Sequence, residues 1–374
     1  MFGRALVPQR PGAFAARAEV RMFEIDFTIN EPFVLDCGVV LDEVRLRCSI
    51  YGRLNSDKSN AILVYHALTG SSRIGEWWNG VIGDGKALDT TELAFVCINY
   101  LGSCYGSTSA RDLRNSHQGK LPVVTTGDIV RAGALLNNYL GISKFRAVIG
   151  GSVGGMLALQ FAADFPNQAD VIVPIAAAPL SAMGLALNHI QREAVQSGNI
   201  ELARKVAVVS YKSADDLGSR FARRPNRNGE DPGKFHDHRF DIGGYLDHHG
   251  ERFRKRFEIE SYQLIMRAMD LFDLTDVQIG RIGAKVSFVG ISSDWLFPVK
   301  DVRALTDRFV RLGADAQYFE MDSQQGHDAF LNDEVEMSRI LNKIFKEHDA
   351  KSFAAETNAC HDTANFNGGL SKAA

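Results

Sequence analysis

The residues Gly150-Gly151-Ser152-Val153-Gly154 constrain this chain more than any others. An apolar run from Phe145 to Gly150 leads into them. A helical pattern from Val153 to Phe165 leaves them, and Pro166 ends it. A strand that turns at once into a helix needs strained backbone at the turn, and only small neighbours leave room for it. Gly150 and Gly154 supply that room, and Gly155 lets the helix lie close to the sheet. Ser152, at the apex, then stands beside the free amides and the positive end of the helix. There a hydroxyl can act as a nucleophile. A plain glycine-rich turn or a phosphate cradle would use similar residues. A dinucleotide fingerprint, however, belongs near a domain's first strand, with an acid about 20 residues on. Here four or five strands precede, and Asp170 stands in a different context.

The rest of the body follows the same rhythm. Ala61–His66, Ala94–Asn99, Asp170–Ile175, Val286–Ile291 and Ala316–Met321 read as strands. Between them lies a helix over Thr126–Tyr139, with Ile129, Ala132, Leu135, Leu136 and Tyr139 on one face. Fully apolar strands between helices predict a mostly parallel sheet flanked by helices, an α/β fold. Phe33–Tyr51 alternates and breaks near Cys37-Gly38, which predicts an antiparallel hairpin at a sheet edge. From Ala182 to about Gly280 the rhythm stops. This stretch is helical early (Leu185–Val209) and late (Glu260–Phe272), with a charged, loop-rich middle. The resulting division is an α/β core at residues 23–181 and 281–349 with a helical lid insertion at 182–280. Residues 1–22 and 350–374 form two tails.

The first tail carries Arg4, Arg10, Arg17 and Arg21 against one acid, Glu19, and has no apolar stretch of the secretory type. A transit peptide fits that composition; so does a disordered tail ahead of a folded part opening at Met22. The second tail is small and polar, too poor in apolar surface to order itself. Net charge is −3, so no global basic field points to nucleic acid or an anionic membrane. No apolar stretch approaches the ~18 residues of a spanning helix. Five cysteines without a C-x-x-C argue against a disulfide framework or structural zinc. The chain reads as cytoplasmic, with no bound cofactor and no metal.

Nucleophile, then acid, then histidine is the chain order of the α/β-hydrolase fold. The acid belongs in the loop after a late strand, where Ser292-Ser293-Asp294-Trp295 follows the apolar run; Asp294 is the candidate and Asp322 the runner-up. The base belongs past the final strand, where Gly326-His327-Asp328 stands; His327 is the candidate. His236, His238, His248 and His249 lie in the charged insertion, where a solvated surface is the ordinary reading and a metal the remote one. His66 ends a strand near the site, as a pocket wall or a buried structural residue. In the resulting chemistry His327 takes the Ser152 proton, Asp294 fixes the imidazole tautomer, and an acyl-serine forms. The oxyanion needs two N–H donors, assigned to Val153 and to Leu68 in the loop His66-Ala67-Leu68-Thr69-Gly70.

Taken together, these motifs resemble the homoserine O-acetyltransferase family. The likeness extends to Gly83–Thr90, Asn99–Thr108, Gln191-Arg192, Ser261-Tyr262 and Ala268-Met269-Asp270, and spans about three quarters of the chain. The resemblance implies ping-pong transfer from acetyl-CoA through the nucleophile to an amino-acid hydroxyl, that of homoserine or, next, of serine, a step toward methionine, by a homodimer joined through the lid. It also implies that an arginine of the lid helix and the aspartate after the histidine hold the amino acid, matching Arg192 and Asp328. Arg192 would pair with an α-carboxylate and Asp328 with an α-ammonium. Without the resemblance, these are an exposed helical arginine and a helix cap. Arg223, Arg224, Arg227 and Lys234 are candidates for CoA phosphates against the ordinary reading of a solvated loop.

Two departures stand out. The segment after Gln196 is shorter than the family's, leaving no evident counterpart for its acceptor-binding tyrosine, and Val153 replaces the usual methionine. A trimmed lid opens the acyl-enzyme to water, so a serine esterase cleaving small acetate esters is the alternative to the transferase. A non-enzymatic assembly role is the third reading, disfavoured by the intact Ser152, Asp294 and His327.

Overall fold

The structure, a computed structural model, describes residues 22–348. Both tails fall outside them, except that the first strand opens at Met22. In chain order the strands are β1 (Met22–Ile29), β2 (Phe33–Val34), β3 (Val40–Leu41), β4 (Val44–Tyr51), β5 (Ala61–Tyr65), β6 (Ala94–Ile98), β7 (Phe145–Gly151), β8 (Ala169–Ile175), β9 (Lys285–Ile291) and β10 (Ala316–Met321). Eight of them form one sheet in the order β1-β4-β6-β5-β7-β8-β9-β10. From β6 to β10 the pairings are parallel; β1–β4 and β4–β6 are antiparallel.

The central strands β5, β6 and β9 are buried along their whole length. Such strands cannot show polar–apolar alternation, because both faces are covered. The sheet edge differs from the sequence reading. Only β2 and β3 pair around Gly38, which takes φ +83, while β4 pairs with β1 instead. Strand β1 is mostly exposed and carries Glu24 and Asp26, which suits an edge strand and hides its apolar signal.

The helices begin with α1 (Ile74–Trp77), α2 (Ala110–Ser116), α3 (Thr126–Tyr139) and α4 (Val153–Asp164). Helix α4 is buried along almost its entire length between the sheet and α3, where the Thr126 hydroxyl reaches Gln160 at 3.0 Å. Fully burying each of its Leu, Met and Phe side chains contributes roughly 1.5–3 kcal/mol. Helix α3 is rotated from the expected face. Leu135 and Tyr139 are exposed, and Val130 and Gly133 are buried in their place.

Between β8 and β9 lie α5 (Ala182–Gln196), α6 (Ile200–Tyr211), α7 (Ala214–Phe221), α8 (Asp241–Arg254), α9 (Ile259–Leu271) and α10 (Asp276–Ile279). The single early helix of the sequence reading is two helices, broken at Gly198 with φ +80. Helix α8 was not foreseen; its many charges mask its pattern. Helix α11 (Val299–Arg311) and the short α12 (Ala329–Asn332) complete the core with a helix at 334–348. No helix among the described residues is long and apolar enough to cross a membrane.

Candidate active site

Ser152 sits between the end of β7 and the start of α4 with φ +60 and ψ −126. A non-glycine residue there is strained, and such strain persists only where the surroundings enforce it. The Ser152 amide donates to the Ile175 carbonyl at 2.9 Å. A Cβ on Gly154 would stand 2.2 Å from the Tyr65 carbonyl oxygen, and one on Gly150 would stand 2.1 Å from that of Gly154. The crossing of β5, β7 and α4 therefore admits only hydrogen at both positions.

Asp294 follows β9 and is buried. Its Oδ1 accepts from the Leu296 amide at 2.9 Å and the Phe297 amide at 3.0 Å, leaving Oδ2 to accept from His327 Nδ1 at 2.7 Å. Three donors on one carboxylate fix its orientation. Asp322, the runner-up, is exposed and accepts from the Ser292 hydroxyl instead. The imidazole of His327 is boxed by the rings of Phe297, Tyr211 and Phe330, at centroid distances of 5.2, 5.6 and 5.7 Å. Burial pulls its pKa down. The charge and hydrogen bond of Asp294, with the charge of Asp328, outweigh that and leave the pKa above the ordinary histidine value. With Nδ1 committed to Asp294, Nε2 is the free nitrogen. It is buried and has no hydrogen-bond partner among the described residues.

A pocket of about 200 Å³ joins these parts. It is lined by Ser152, His327, Asp328, Leu68, Arg204 and Tyr211, among others. Neither the Val153 nor the Leu68 amide donates to another protein group among the described residues, so both remain available to an oxyanion. The Leu68 loop is held in place by the Tyr100 hydroxyl on the His66 carbonyl, and by Arg256, which donates to the Thr69 carbonyl at 2.9 Å. His66 is a buried structural residue. Its Nδ1 lies 2.8 Å from the Ala67 carbonyl, its ring stacks on Tyr100, and burial lowers its pKa to about 4.

The matching family model describes the α/β-hydrolase fold and covers residues 60–334. A homoserine O-acetyltransferase of Acidiphilium cryptum (strain JF-5) is 36% identical, with 84% of this chain and 93% of that protein aligned. The chain belongs to the homoserine O-acetyltransferase family. The crystal structure of a homoserine O-acetyltransferase from Bacillus anthracis superposes with a TM-score of 0.77 at 20% identity, covering 86% of this chain and 97% of that one. The structure of esterase E22 superposes with a TM-score of 0.76 at 20% identity, covering 86% and 99%. At these identities the two superpositions speak to the fold alone.

One residue expected at the site from the sequence lies elsewhere. Arg192 does not line the pocket. Its guanidinium is bound to Asp270 of α9, whose carboxylate is almost wholly buried and also accepts from Asn188 at 2.8 Å. Beside it Tyr262 donates to Gln191 at 2.6 Å. The Gln191-Arg192 and Met269-Asp270 motifs thus bind α5 to α9 and build the lid. Helix phase decides this: Asn188 and Arg192 are one turn apart on the face turned to α9.

Two guanidinium groups of the lid segment do line the pocket: Arg204 on α6, with Tyr211 two turns further along the same face, and Arg256 between α8 and α9, which is committed to Thr69 and Tyr105. Arg204 has no carboxylate partner among the described residues and lies over the Phe253 and Tyr211 rings. Tyr211 supplies the wall tyrosine for which the shortened segment showed no counterpart. The seven-residue spacing of Arg204 and Tyr211 was the available signal. The end of α6 is tied to the loops that carry Asp294 and His327, since Trp295 donates to the Lys212 carbonyl at 2.9 Å and Ser213 to the Gln324 carbonyl. Asp328 does line the pocket, but it is already paired with Lys212 at 3.1 Å.

The phosphate candidates of the charged insertion are likewise engaged elsewhere. Arg227 binds Asp241 at 3.0 Å, Arg224 donates to the Phe221 carbonyl, and Arg223 and Lys234 lie over Phe240 and Phe235. A separate cleft of about 890 Å³ adjoins the pocket through Thr69, Gly70, Trp77 and Arg256, and Arg252 also lines it. Among the described residues no cluster of His, Cys, Asp and Glu is placed to hold a metal ion.

Proposed function

We propose that this protein is an O-acyltransferase that moves an acetyl group from acetyl-CoA, through an acyl-Ser152 intermediate, to the hydroxyl of homoserine. The observation that carries this reading is the free, buried Nε2 of His327, backed by Asp294, in the pocket that Ser152 lines.

In the first half-reaction Nε2 takes the Ser152 proton as Oγ attacks the thioester carbonyl, and the Val153 and Leu68 amides stabilise the oxyanion. The imidazolium formed is stabilised by Asp294, and its proton leaves with the CoA thiol. In the second half the acceptor hydroxyl gives its proton to Nε2 and attacks the acyl carbon; Oγ leaves and recovers the proton. Arg204 is placed to hold the acceptor's carboxylate. The adjoining cleft, with Arg252 and Arg256 at its wall, is the route we assign to acetyl-CoA, which serves as a substrate and not as a resident cofactor. We also propose a homodimer through the lid, supported by exposed apolar side chains on α5 and α6: Met183, Leu185, Ile190 and Leu202. The enzyme would work in the cytoplasm.

The second reading is a serine esterase, favoured by the Lys212 ammonium already seated on Asp328. Free thiol is followed with acetyl-CoA alone and with homoserine added. The transferase reading expects homoserine to accelerate thiol release and O-acetylhomoserine to accumulate. Thiol release indifferent to homoserine, with fast cleavage of p-nitrophenyl acetate, overturns it in favour of the esterase.

A further inference from the structure

Lys212 is nine-tenths buried and its ammonium pairs at 3.1 Å with Asp328, which lines the Ser152 pocket, while Lys212 itself lines the cavity on the other side of that carboxylate's loop with Ser213 and Trp295. Asp328 is the only carboxylate among the described residues lining the Ser152 pocket. The other anion of the site, Asp294, is turned away behind His327 and has its oxygens filled. Any cation on an acceptor would therefore have Asp328 as its partner, and there it meets Lys212. A second ammonium on that carboxylate brings two like charges together in a partly desolvated site, or else displaces a buried ammonium from its ion pair. Arg204, which also lines the pocket, is different, because its guanidinium has no carboxylate partner among the described residues. The pocket thus has an open anchor for an anion and a filled anchor for a cation.

We propose that Lys212 is the specificity-determining residue of the acceptor site, standing in for the acceptor's ammonium, so that the protein acetylates hydroxy acids that lack an amino group. This deepens, and rests on, the acetyltransferase reading above. The acceptor that fits is a short chain with a carboxylate at one end and a primary hydroxyl at the other. The carboxylate meets Arg204 and the hydroxyl reaches Ser152. That hydroxyl oxygen adds to the acyl carbon, the bond to Ser152 Oγ breaks, and the proton passes from acceptor to His327 Nε2 and on to Oγ. Homoserine is taken too, but at the cost of disturbing the Lys212–Asp328 pair. Trp295, donating to the Lys212 carbonyl at 2.9 Å, fixes the backbone from which the Lys212 side chain springs.

The test is an internal competition. The protein is given acetyl-CoA with equimolar homoserine and 4-hydroxybutyrate, which differ only by the amino group, and the two O-acetyl products are quantified in the same tube. The wild type is expected to form O-acetyl-4-hydroxybutyrate in at least equal amount. Lys212→Met frees Asp328 for the ammonium and leaves it to repel the plain hydroxy acid. The product ratio should then swing toward homoserine by about tenfold or more, the range of one charge-assisted contact. Lys212→Arg, which keeps the pair, should hold the wild-type preference. The ratio does not depend on how much protein folds, and the wild-type measurement stands even if Lys212→Met does not fold. A wild type that acetylates homoserine and ignores 4-hydroxybutyrate overturns the inference and leaves the acetyltransferase reading intact. So does a ratio unmoved by Lys212→Met. Thiol release with neither product formed overturns the acetyltransferase reading, and the inference falls with it.

Discussion

Replacing Arg192 by alanine separates a structural arginine from a substrate-binding one. In the wild type the Asp270 side chain is 3% exposed and is satisfied by Arg192 and Asn188, with Arg267 farther off at 3.9 Å. Removing one partner of a buried ion pair costs about 3–5 kcal/mol, because the remaining charge stays desolvated. Here Asn188 still donates, and the Arg192 side chain is itself 20% exposed, so the lower end applies, about 3 kcal/mol. At roughly 2 °C per kcal/mol for a chain of this size, Tm should fall by about 6 °C. Thermal unfolding measures that loss. Steady-state kinetics on the folded variant, well below its Tm, should return a KM for homoserine within about twofold of wild type, since Arg192 is not among the residues that line the pocket. A KM raised tenfold or more with Tm unchanged would refute this reasoning and return Arg192 to the acceptor site.

The complementary substitution, Arg204→Ala, should raise the acceptor KM by about 10–100-fold, as expected for one charge-assisted contact, and leave acceptor-free thiol release within a few-fold. Initial rates at varied homoserine read both. Asp294→Asn should lower kcat/KM for acetyl-CoA by about 10³–10⁴-fold, because the imidazole loses both its tautomer control and its counter-charge; stopped-time thiol assays are sufficient. The pH profile follows from His327. The imidazole must be neutral to act as base, and its pKa lies above the ordinary value near 6.5. Acylation should therefore rise with pH and reach half its plateau above pH 6.5. Asp328 is one of the charges that raise that pKa. Asp328→Asn should move the half-point toward acid, and a shift toward alkali would contradict the assignment.

Much of the core could be read in the chain because its signals are local. The apolar runs at β5, β6, β7 and β9 and the small residues around Ser152 each declare a buried strand or a tight crossing. Asp294 and His327 follow from loop position once the chain order is set. The failures lie where long-range packing decides. Arg192 and Arg204 are both lid-helix arginines, and only the pairing of α5 with α9 turns the first away from the pocket. Tyr211 was hidden because α6 follows α5 after a one-turn break at Gly198, a geometry that residue spacing alone does not fix. The Lys212–Asp328 contact joins positions 116 residues apart in the chain, and no local pattern marks it.

The most direct test concerns the covalent state of Ser152. The protein is mixed with acetyl-CoA without acceptor, quenched in acid, digested and mapped by mass spectrometry. One acetyl group should sit on the peptide holding Ser152, be absent in Ser152→Ala, and disappear when an acceptor alcohol is added before the quench. An unmodified Ser152 under conditions where thiol is released, or an acetyl group chased from another residue, would contradict the reading of this serine as the acyl carrier.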